Sequence, residues 1–505
     1  MVPVRPEPPL IGCFPTLPEA MDAAAEQFGD RDAFVDGDRH LSFVQWRDRA
    51  DALAAELVER GVRPGQCVAL VLPSGFDYSI AYGAAVRAGA IVTGLSLRLG
   101  PREMEAILAK TAPAMVIADR SASATAIPDG YVVMEHLELQ RAYERSGLGA
   151  ARPVRLPEDP AVIIWTSGTT GVPKGAWFDH RNLESAVRSA GVMSAPFDRR
   201  LVATPFQHAG YMAKIWDQLA WGSCTVISPV PWTVQNMLRI IVDQKITSAG
   251  GVPTQWAKLV ELPEAQTADF SHLRLGLVAT APASPELIEK VTALIGCPLI
   301  VRYAMTESPS ITGTELDDDS SVLYRTVGRP QEGMSIDIVD EHGAPVPEGI
   351  VGRVRVAGAC VMRGYWGDPE LTAAVLDADG RLTSSDLGRF DPYGNLVLVG
   401  RANDMYIRGG YNVYPLEVEN VLAEHPGVAS AGVVGLATPV IGEIGVAFVV
   451  PTDPAKPPTL DDLRAWVRGH LSDYKAPDRL ELLEALPLTA MLKVDKAALA
   501  RLAVG

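Results

Sequence analysis

The sequence is short of positive charge. Its 45 lysine and arginine residues stand against 61 aspartate and glutamate residues, which gives a formal net charge of −16. A chain of that sign repels nucleic acid and anionic lipid, so we expect neither as a partner. It also lacks a long apolar run: the most membrane-like segment, 428–450, is interrupted by Pro439 and Glu443. Because a spanning helix needs about 20 apolar residues, we predict two core strands there and no integral membrane association.

Cysteines are few, and their spacing excludes two common frameworks. None of the five forms a C-x-x-C pair, which argues against both a disulfide scaffold and a zinc site. The Pro-rich N-terminus lacks the basic and then apolar pattern of a signal peptide. We therefore expect a cytoplasmic protein, and the oligomeric state, including a homodimer, stays open. The five cysteines are Cys13, Cys67, Cys224, Cys297 and Cys360.

The chain is too long for one hydrophobic core, since 505 residues exceed the size at which single cores stop growing. Up to about residue 326, short apolar runs alternate with segments of helical periodicity, which predicts parallel sheets covered by helices. The segment 326–400 is made of short β-rich pieces with many Gly and Pro residues, typical of a small antiparallel sheet. A compact α+β unit follows from residue 414, and we place the domain boundary at 401–404.

The strongest local signal is 166–175, which reads TSGTTGVPKG and follows an apolar β-branched run. A strand that leads into glycines, hydroxyls and one lysine is typical of a loop whose backbone N–H groups bind phosphate. It is not a Walker loop, because Lys174 follows a proline and precedes Gly175. A solvated surface loop is the alternative. Three glycines, four hydroxyls and one lysine in ten residues favour a nucleotide phosphate site.

Three further stretches carry polar groups suited to a nucleotide. The segment 302–308 ends a predicted strand and offers Tyr303 for a base and Glu307 for a hard cation such as Mg²⁺. The segment 383–388 is predicted as a β-turn whose Asp386 could accept two ribose hydroxyls. Lys493 lies in a polar turn near the C-terminus. Each stretch also has a non-functional interpretation. Glu307 could cap a helix, Asp386 could stabilise its own turn, and Lys493 could simply face solvent.

Taken in order, these stretches resemble the adenylate-forming superfamily of acyl-CoA and aryl-CoA synthetases, peptide-synthetase adenylation domains and luciferases. The phosphate loop is similar to 166–175, the Y-G-x-T-E stretch to 303–307 and the T-G-D stretch to 384–386. The hinge and Gly-rich loop are similar to 400–419, and the C-terminal catalytic lysine to Lys493. The resemblance spans nearly the whole chain.

The resemblance implies an α/β fold with a large N-terminal domain, residues 1–400, built of two α/β subdomains and a small β-rich one. It further implies a hinge at 401–404 and a mobile α+β C-terminal domain, 405–505. The implied reaction uses ATP, Mg²⁺ and CoA: a carboxylate attacks the α-phosphate to give acyl-AMP and pyrophosphate, and a thiol then attacks the adenylate. Cations and hydrogen-bond donors must offset the charge that develops at phosphorus.

The resemblance also assigns roles to single residues. Catalysis falls to Lys493, Thr306, Glu307 and His208, with Glu307 also holding Mg²⁺. Adenine contacts Tyr303 and Ala281, ribose contacts Asp386 and Arg401, and the pantetheine of CoA passes Gly409, Gly410 and Tyr411. The β- and γ-phosphates are bound by Thr166, Ser167, Gly168, Thr169, Thr170, Gly171 and Lys174.

The acid itself is predicted from the segment 204–211, which is similar to the stretch that lines the acyl pocket. Amino-acid-activating relatives usually place an aspartate there, and this chain has none. We therefore expect a neutral acid, aliphatic or bulky and alicyclic, because an unpaired buried charge would be costly. The residues expected to line the pocket are His208, Tyr211, Met212, Gly250, Gly251, Thr280, Ala304 and Met305.

Three departures from the family pattern keep alternatives open. Ala304 replaces a glycine, Leu492 replaces the glycine before the lysine, and the hinge carries Asn403 where Asp or Lys is usual. A weaker charge at the hinge would alter the domain movement that precedes thioester formation. One alternative is an enzyme that stops at acyl-AMP and passes it to a partner. A non-catalytic nucleotide-binding regulator is another, although it would be expected to lack Lys493 or Glu307.

Overall fold

The computed structural model describes residues 7–10, 14–145, 153–166, 173–278, 285–408, 411–438, 442–489 and 493–504. In chain order the strands are β1 (Asp32–Asp36), β2 (Arg39–Ser42), β3 (Cys67–Val71), β4 (Ile91–Gly94), β5 (Met115–Ala118), β6 (Val133–Glu135), β7 (Pro160–Thr166), β8 (Lys174–Asp179), β9 (Arg199–Val202), β10 (Cys224–Ile227), β11 (Ser248–Gly251), β12 (Leu275–Val278), β13 (Leu299–Met305), β14 (Ser308–Gly313), β15 (Arg329–Pro330), β16 (Met334–Val339), β17 (Gly352–Gly358), β18 (Gly364–Tyr365), β19 (Leu382–Phe390), β20 (Leu396–Arg401), β21 (Tyr406–Arg408), β22 (Tyr411–Val413), β23 (Val428–Thr438), β24 (Gly442–Pro451) and β25 (Arg479–Leu482). The helices are α1 (Leu17–Phe28), α2 (Phe43–Glu59), α3 (Phe76–Arg87), α4 (Pro101–Thr111), α5 (His136–Tyr143), α6 (His180–Arg188), α7 (Ala209–Met212), α8 (Ile215–Trp221), α9 (Val234–Asp243), α10 (Pro253–Glu261), α11 (Pro285–Ile295), α12 (Ser320–Arg325), α13 (Pro369–Ala373), α14 (Pro415–Ala423), α15 (Leu460–His470) and α16 (Lys496–Val504).

Two large sheets form the N-terminal part of the molecule. One has seven strands in the order β18-β8-β7-β4-β3-β5-β6, and the other has nine in the order β15-β14-β13-β12-β11-β9-β10-β1-β2. The central strand β3 is buried along its whole length, as expected of a parallel strand covered on both faces. The predicted parallel pairing is confirmed for the interiors of both sheets. It is wrong at their edges, where β2, β8, β14, β15 and β18 pair antiparallel.

A capping box and a buried tryptophan position helices α2 and α3. Ser42 caps α2, because its hydroxyl accepts from the Gln45 N–H while the Gln45 side chain accepts from the Ser42 N–H. On the same helix Trp46 is 1% exposed, and its indole N–H donates to the Ser79 carbonyl on α3 at 2.9 Å. Polar and apolar contacts together therefore hold α2 and α3 in the core.

The remainder of the chain forms two smaller units, one β-rich and one α+β, as predicted. Strands β16, β17, β19 and β20 form an antiparallel sheet, and the C-terminal sheet has the order β22-β21-β24-β23 with β25 beside β24. The prediction for 428–450 is confirmed for the described residues, which form the antiparallel core strands β23 and β24. Among the described residues, no helix has the length and apolar character needed to cross a membrane. Four cysteines, Cys67, Cys224, Cys297 and Cys360, are buried free thiols, and Cys13 lies outside the described residues.

One local prediction is wrong. The segment 383–388, expected to be a β-turn, lies inside β19, which shifts register against β20 between Leu387 and Gly388. A Cβ at Gly388 would stand 2.9 Å from the Val397 carbonyl oxygen, so this glycine allows close strand approach and does not mark a turn. Strand β20 ends at Arg401, and the predicted boundary at 401–404 stays a prediction.

Candidate active site

The predicted phosphate loop connects two strands of a hairpin. β7 ends at Thr166 and β8 begins at Lys174, and these two residues are paired across the ladder. The predicted contact residues Ser167, Gly168, Thr169, Thr170 and Gly171 lie outside the described residues. Lys174 therefore starts a strand, in agreement with the proline before it. The expected absence of a Walker-type helix at this position is confirmed.

The second predicted stretch forms a tight hairpin between β13 and β14. Met305 pairs with Ser308, so Thr306 and Glu307 occupy the turn between the strands. The Met362 N–H donates to the Glu307 backbone carbonyl at 2.8 Å. The turn thus presents one hydroxyl and one carboxylate from a rigid strand end, where ligands of α/β sheets commonly bind.

Tyr365, which the sequence reasoning missed, contacts both of these elements. Its hydroxyl donates to Glu307 Oε1 at 2.7 Å, and Lys174 Nζ lies 5.8 Å from its ring centroid. Burial, followed by the Glu307 charge, raises the pKa of the Tyr365 phenol. The phenol therefore remains a protonated donor toward Glu307. Its sequence signal was a Gly-Tyr-Trp run without any charged residue, which resembles an ordinary core strand.

Asp386 and Arg401 meet across the small sheet. They are directly paired on β19 and β20, and Arg401 Nε donates to Asp386 Oδ1 at 3.0 Å. The Tyr303 hydroxyl donates to the other carboxylate oxygen at 2.5 Å. Burial and then Asp386 raise the pKa of Tyr303. The three residues predicted to contact nucleoside are thus brought together, and stacking of Tyr303 on adenine stays a prediction.

Lys493 enters this group from the C-terminal part of the chain. Its backbone is anchored by a hydrogen bond that the Thr489 N–H donates to the Lys493 carbonyl at 2.7 Å. The side chain is exposed, yet the surrounding protein and then Arg401 lower its pKa, while Asp386 opposes the shift. Leu492, one of the departures from the family pattern, lies outside the described residues.

His208 is a further residue close enough to Lys493 to feel its charge. Burial, and then the charge of Lys493, lower the pKa of His208 to about 4, so the imidazole is neutral at physiological pH. A neutral ring can orient a carboxylate through a hydrogen bond without supplying a charge. Lys493 thus interacts electrostatically with the Arg401–Asp386 pair and with His208.

The predicted acyl-pocket residues divide into core and accessible positions. Tyr211 and Met212 are buried, and the Tyr211 ring stacks on Phe206 at 3.9 Å while its hydroxyl donates to Ser79 Oγ at 3.0 Å. Ala304 is exposed on β13 and Met305 is half-buried. The glycines Gly250 and Gly251 belong to β11, whereas Thr280 and Ala281 lie outside the described residues. Their roles in binding the acid stay predictions.

The structure describes part of the predicted hinge and part of the segment expected to line the path of the pantetheine. Asn403 is exposed, and the chain leaves the small sheet after the Ala402 N–H donates to the Ser385 carbonyl at 2.8 Å. Tyr411 is exposed and stacks on Tyr474 with centroids 4.6 Å apart. Gly409 and Gly410 lie outside the described residues.

A magnesium ion fits the chemistry of the turn between β13 and β14. Within the described ranges, no group of three or more His, Cys, Asp or Glu side chains could hold a metal by itself. Mg²⁺ is commonly bound by one or two carboxylates together with substrate phosphates and water. Glu307, with Thr306 beside it, matches that donor set and would hold the ion, which when bound neutralises phosphate charge.

The chain is similar to known proteins over most of its length. The sequence patterns of the AMP-binding enzyme family and of the AMP-binding enzyme C-terminal domain match residues 21–366 and 417–493. A 3-[(3aS,4S,7aS)-7a-methyl-1,5-dioxo-octahydro-1H-inden-4-yl]propanoyl:CoA ligase of Mycobacterium tuberculosis is 35% identical, over 96% of this chain and 99% of that one. The ligase of the same name from Rhodococcus jostii is 32% identical, over 95% and 97%.

Solved structures agree as well. ATP-bound MatB from Rhodopseudomonas palustris superimposes with a TM-score of 0.86 at 27% identity, over 96% of this chain and 98% of that one. This likeness confirms the predicted α/β fold with a large N-terminal region and a separate C-terminal domain. The chain therefore belongs to the AMP-binding enzyme family, as an adenylate-forming acid–thiol ligase of the acyl-CoA synthetase type that uses ATP, Mg²⁺ and CoA.

Proposed function

We propose that the enzyme activates a neutral carboxylic acid, aliphatic or bulky and alicyclic, to acyl-AMP and then transfers the acyl group to CoA. The observation that supports the proposal is the bonded Asp386–Arg401 pair, which lies close enough to Lys493 to act on its pKa, as Lys493 does on the pKa of His208. The exposed ammonium of Lys493 would then approach the pair expected to bind ribose from the C-terminal part of the chain. Such a cation is what in-line attack of a carboxylate on the α-phosphate requires.

In the first half-reaction each group has one task. Asp386 accepts from the ribose hydroxyls, held in place by Arg401 and Tyr303. Glu307, oriented by Tyr365, provides the carboxylate for Mg²⁺. Lys493 offsets the charge that develops on the α-phosphoryl oxygens as the acid oxygen bonds to phosphorus and pyrophosphate leaves. Lys174, with the loop before it, binds the departing pyrophosphate and positions it.

In the second half-reaction the thiol of CoA attacks the acyl carbon and AMP leaves. We propose that the C-terminal domain, residues 405–505, rotates about the hinge 401–404 between the two steps. Asn403 is the pivot, and Gly409, Gly410 and Tyr411 line the path of the pantetheine. The exposed Tyr411 ring beside Tyr474 offers an apolar surface suited to that arm.

The choice of acid rests on the segment around His208 and on the relatives. The segment contains no aspartate that could bind an amine, so the tail carries no positive charge. The M. tuberculosis and R. jostii ligases are named for a propanoate attached to a hydrogenated indene ring, which is a bulky alicyclic acid of this class. We also propose a cytoplasmic location, in keeping with the four buried free thiols, and a homodimer, which sedimentation would test.

Pyrophosphate exchange tests the function directly. ATP–pyrophosphate exchange measured with a panel of alkanoic, arylalkanoic and alicyclic propanoic acids, followed by thiol consumption on adding CoA, separates the two half-reactions. We expect exchange and thiol loss with the same acids. Exchange without thiol loss would indicate an enzyme that stops at acyl-AMP, and no exchange with any acid would contradict the proposal.

A further inference from the structure

Lys493 lies on one of two short antiparallel arms, which are joined by the bridge between Leu488 and Val494. Its backbone carbonyl accepts from the other arm, through the Thr489 N–H at 2.7 Å. The arm that bears Lys493 continues into α16, whose first residue is Lys496. The second lysine follows the first by three residues, a span of at most about 11 Å. Whatever fixes Lys496 therefore also fixes the base of this arm.

Lys496 is bonded to two other elements of the C-terminal part of the chain. Its Nζ donates to the Val433 carbonyl on β23 at 2.9 Å and forms an ion pair with Glu419 on α14. Glu419 Oε1 also accepts from the Val433 N–H at 2.6 Å. The three groups are thus bonded to one another, and we call the set of Lys496, Glu419 and the Val433 backbone the lysine clasp.

The lysine clasp is buried enough to hold one geometry. The side chains of Lys496 and Glu419 are 29% and 14% exposed. Exposed ion pairs contribute little because water competes for both partners, whereas removing one partner from a buried pair leaves a charge without compensation. A lysine at the first residue of a helix is also opposed by the helix dipole. The helix itself therefore does not explain this lysine, and the bonds to α14 and β23 do.

The lysine clasp lies next to the predicted hinge. Asp404 and Lys496 line one cavity of about 220 Å³. The helix α14, which carries Glu419, begins against the end of β20, since a Cβ at Gly400 would lie 3.3 Å from Tyr414 Cβ. The clasp thus connects the arm of the catalytic lysine to the elements that flank the hinge.

We propose that Lys496 is a positioning residue for adenylation: through the lysine clasp it holds the arm that bears Lys493 in a fixed relation to the hinge, so that the Lys493 ammonium meets the α-phosphate in one orientation. The inference rests on the proposed function and adds to it a residue that acts only through Lys493. Because Lys493 is proposed to act in the first half-reaction, loss of the clasp should slow adenylation and spare thioester formation.

The test measures the two half-reactions separately, with the acid that the wild-type enzyme activates best. Adenylation is followed as ATP–pyrophosphate exchange, and thioester formation as the release of AMP from supplied acyl-AMP when CoA is added. For Lys496→Met we expect kcat of exchange to fall at least roughly tenfold, since a catalytic group displaced by about 1 Å can lose about a hundredfold. The KM for ATP should stay within about twofold of wild type, and thioester formation within about threefold.

Three results would overturn the inference. One is exchange at the wild-type rate by Lys496→Met, and another is an equal loss in both half-reactions, which would indicate a purely structural role. The third is a further loss of exchange when Lys496→Met is added to Lys493→Ala, because a residue that acts through Lys493 has no effect once Lys493 is gone. Lys496→Arg should restore most of the exchange, since a guanidinium can donate to both acceptors. Lys456→Met, at an exposed position in the same part of the chain, is the matched control and should exchange like wild type.

The variant Glu419→Gln tests the lysine clasp from its other side and decides the matter if Lys496→Met does not fold. Glutamine keeps an oxygen that can accept from the Val433 N–H and removes only the charge that pairs with Lys496. We expect the same difference between the half-reactions, with exchange reduced roughly threefold or more, because a neutral acceptor bonds an ammonium more weakly than a carboxylate does. Exchange at the wild-type rate by this variant would overturn the inference. Absence of exchange by the wild-type enzyme with every acid would contradict the proposed function instead.

Discussion

Asp386 and Arg401 lie directly opposite each other on β19 and β20, and Arg401 Nε donates to Asp386 Oδ1 at 3.0 Å. The other carboxylate oxygen accepts from Tyr303 at 2.5 Å. A carboxylate fixed from two sides has little rotational freedom left to lose on binding a ligand. The proposed nucleoside site is thus largely preorganised by strand pairing.

Replacing Asp386 with alanine should weaken ATP binding strongly. The variant removes the ribose acceptor and leaves the buried Tyr303 hydroxyl without its partner, a loss of roughly 2 kcal/mol or more. We expect the KM for ATP in pyrophosphate exchange to rise at least about tenfold. Asp129→Ala, at an exposed position, is the control. An unchanged KM for ATP in the Asp386 variant would contradict the ribose assignment.

Replacing Tyr365 with phenylalanine should affect the response to magnesium. Its hydroxyl donates to Glu307 Oε1 at 2.7 Å, so the variant loses the bond that orients this carboxylate. We expect the Mg²⁺ concentration for half-maximal ATP binding, measured by calorimetry without acid, to rise by roughly three- to tenfold. Tyr393→Phe, at an 83% exposed tyrosine, should leave it unchanged. A Tyr365 variant with the wild-type Mg²⁺ response would refute this positioning role.

The variant Asn403→Pro should slow thioester formation while leaving adenylation largely intact. Proline fixes φ and so restricts rotation about the proposed hinge. The residues expected to bind ATP remain in place. We expect pyrophosphate exchange within about threefold of wild type and thioester formation reduced at least about tenfold. Equal losses in both steps, or no loss in either, would place the pivot elsewhere.

Protonation of His180 should lower stability in acid. The ring is 3% exposed, its Nδ1 accepts from the Leu17 N–H at 3.2 Å, and burial followed by Arg155 lowers its pKa to about 4 from 6.5. The folded state favours the neutral ring, so this contribution is complete above pH 6.5 and is lost as the pH falls toward 4. The total is roughly 3 kcal/mol.

Urea unfolding between pH 7.5 and pH 4.5 measures this effect. His180→Gln should show a smaller fall in the free energy of unfolding than wild type over that range. His342→Gln, whose side chain is 81% exposed, should follow the wild-type profile. Parallel profiles for His180→Gln and wild type would mean that His180 contributes nothing to the acid sensitivity.

The sequence predicted those features that depend on local periodicity and on ordered motifs. The β/α alternation identified the buried strand β3, and the proline before Lys174 excluded a Walker-type helix. The turn predicted at 383–388 was wrong because Ser and Gly are turn formers by composition, whereas strand pairing with β20 decides the conformation here.

Contacts between segments that are far apart in the chain could not be predicted from the sequence. Tyr365 lies 58 residues from Glu307, and no spacing rule connects an uncharged Gly-Tyr-Trp run with a carboxylate. Such relationships arise only from the packing of the sheets.

The role of Lys493 is the central claim, and the variant Lys493→Ala measured in ATP–pyrophosphate exchange tests it most directly. Removing the ammonium from beside Arg401 and Asp386 should reduce exchange at least about a hundredfold, since electrostatic stabilisation of this kind contributes factors of that size. Lys456→Ala, at an exposed position, should exchange like wild type. Near-wild-type exchange by Lys493→Ala would contradict the account.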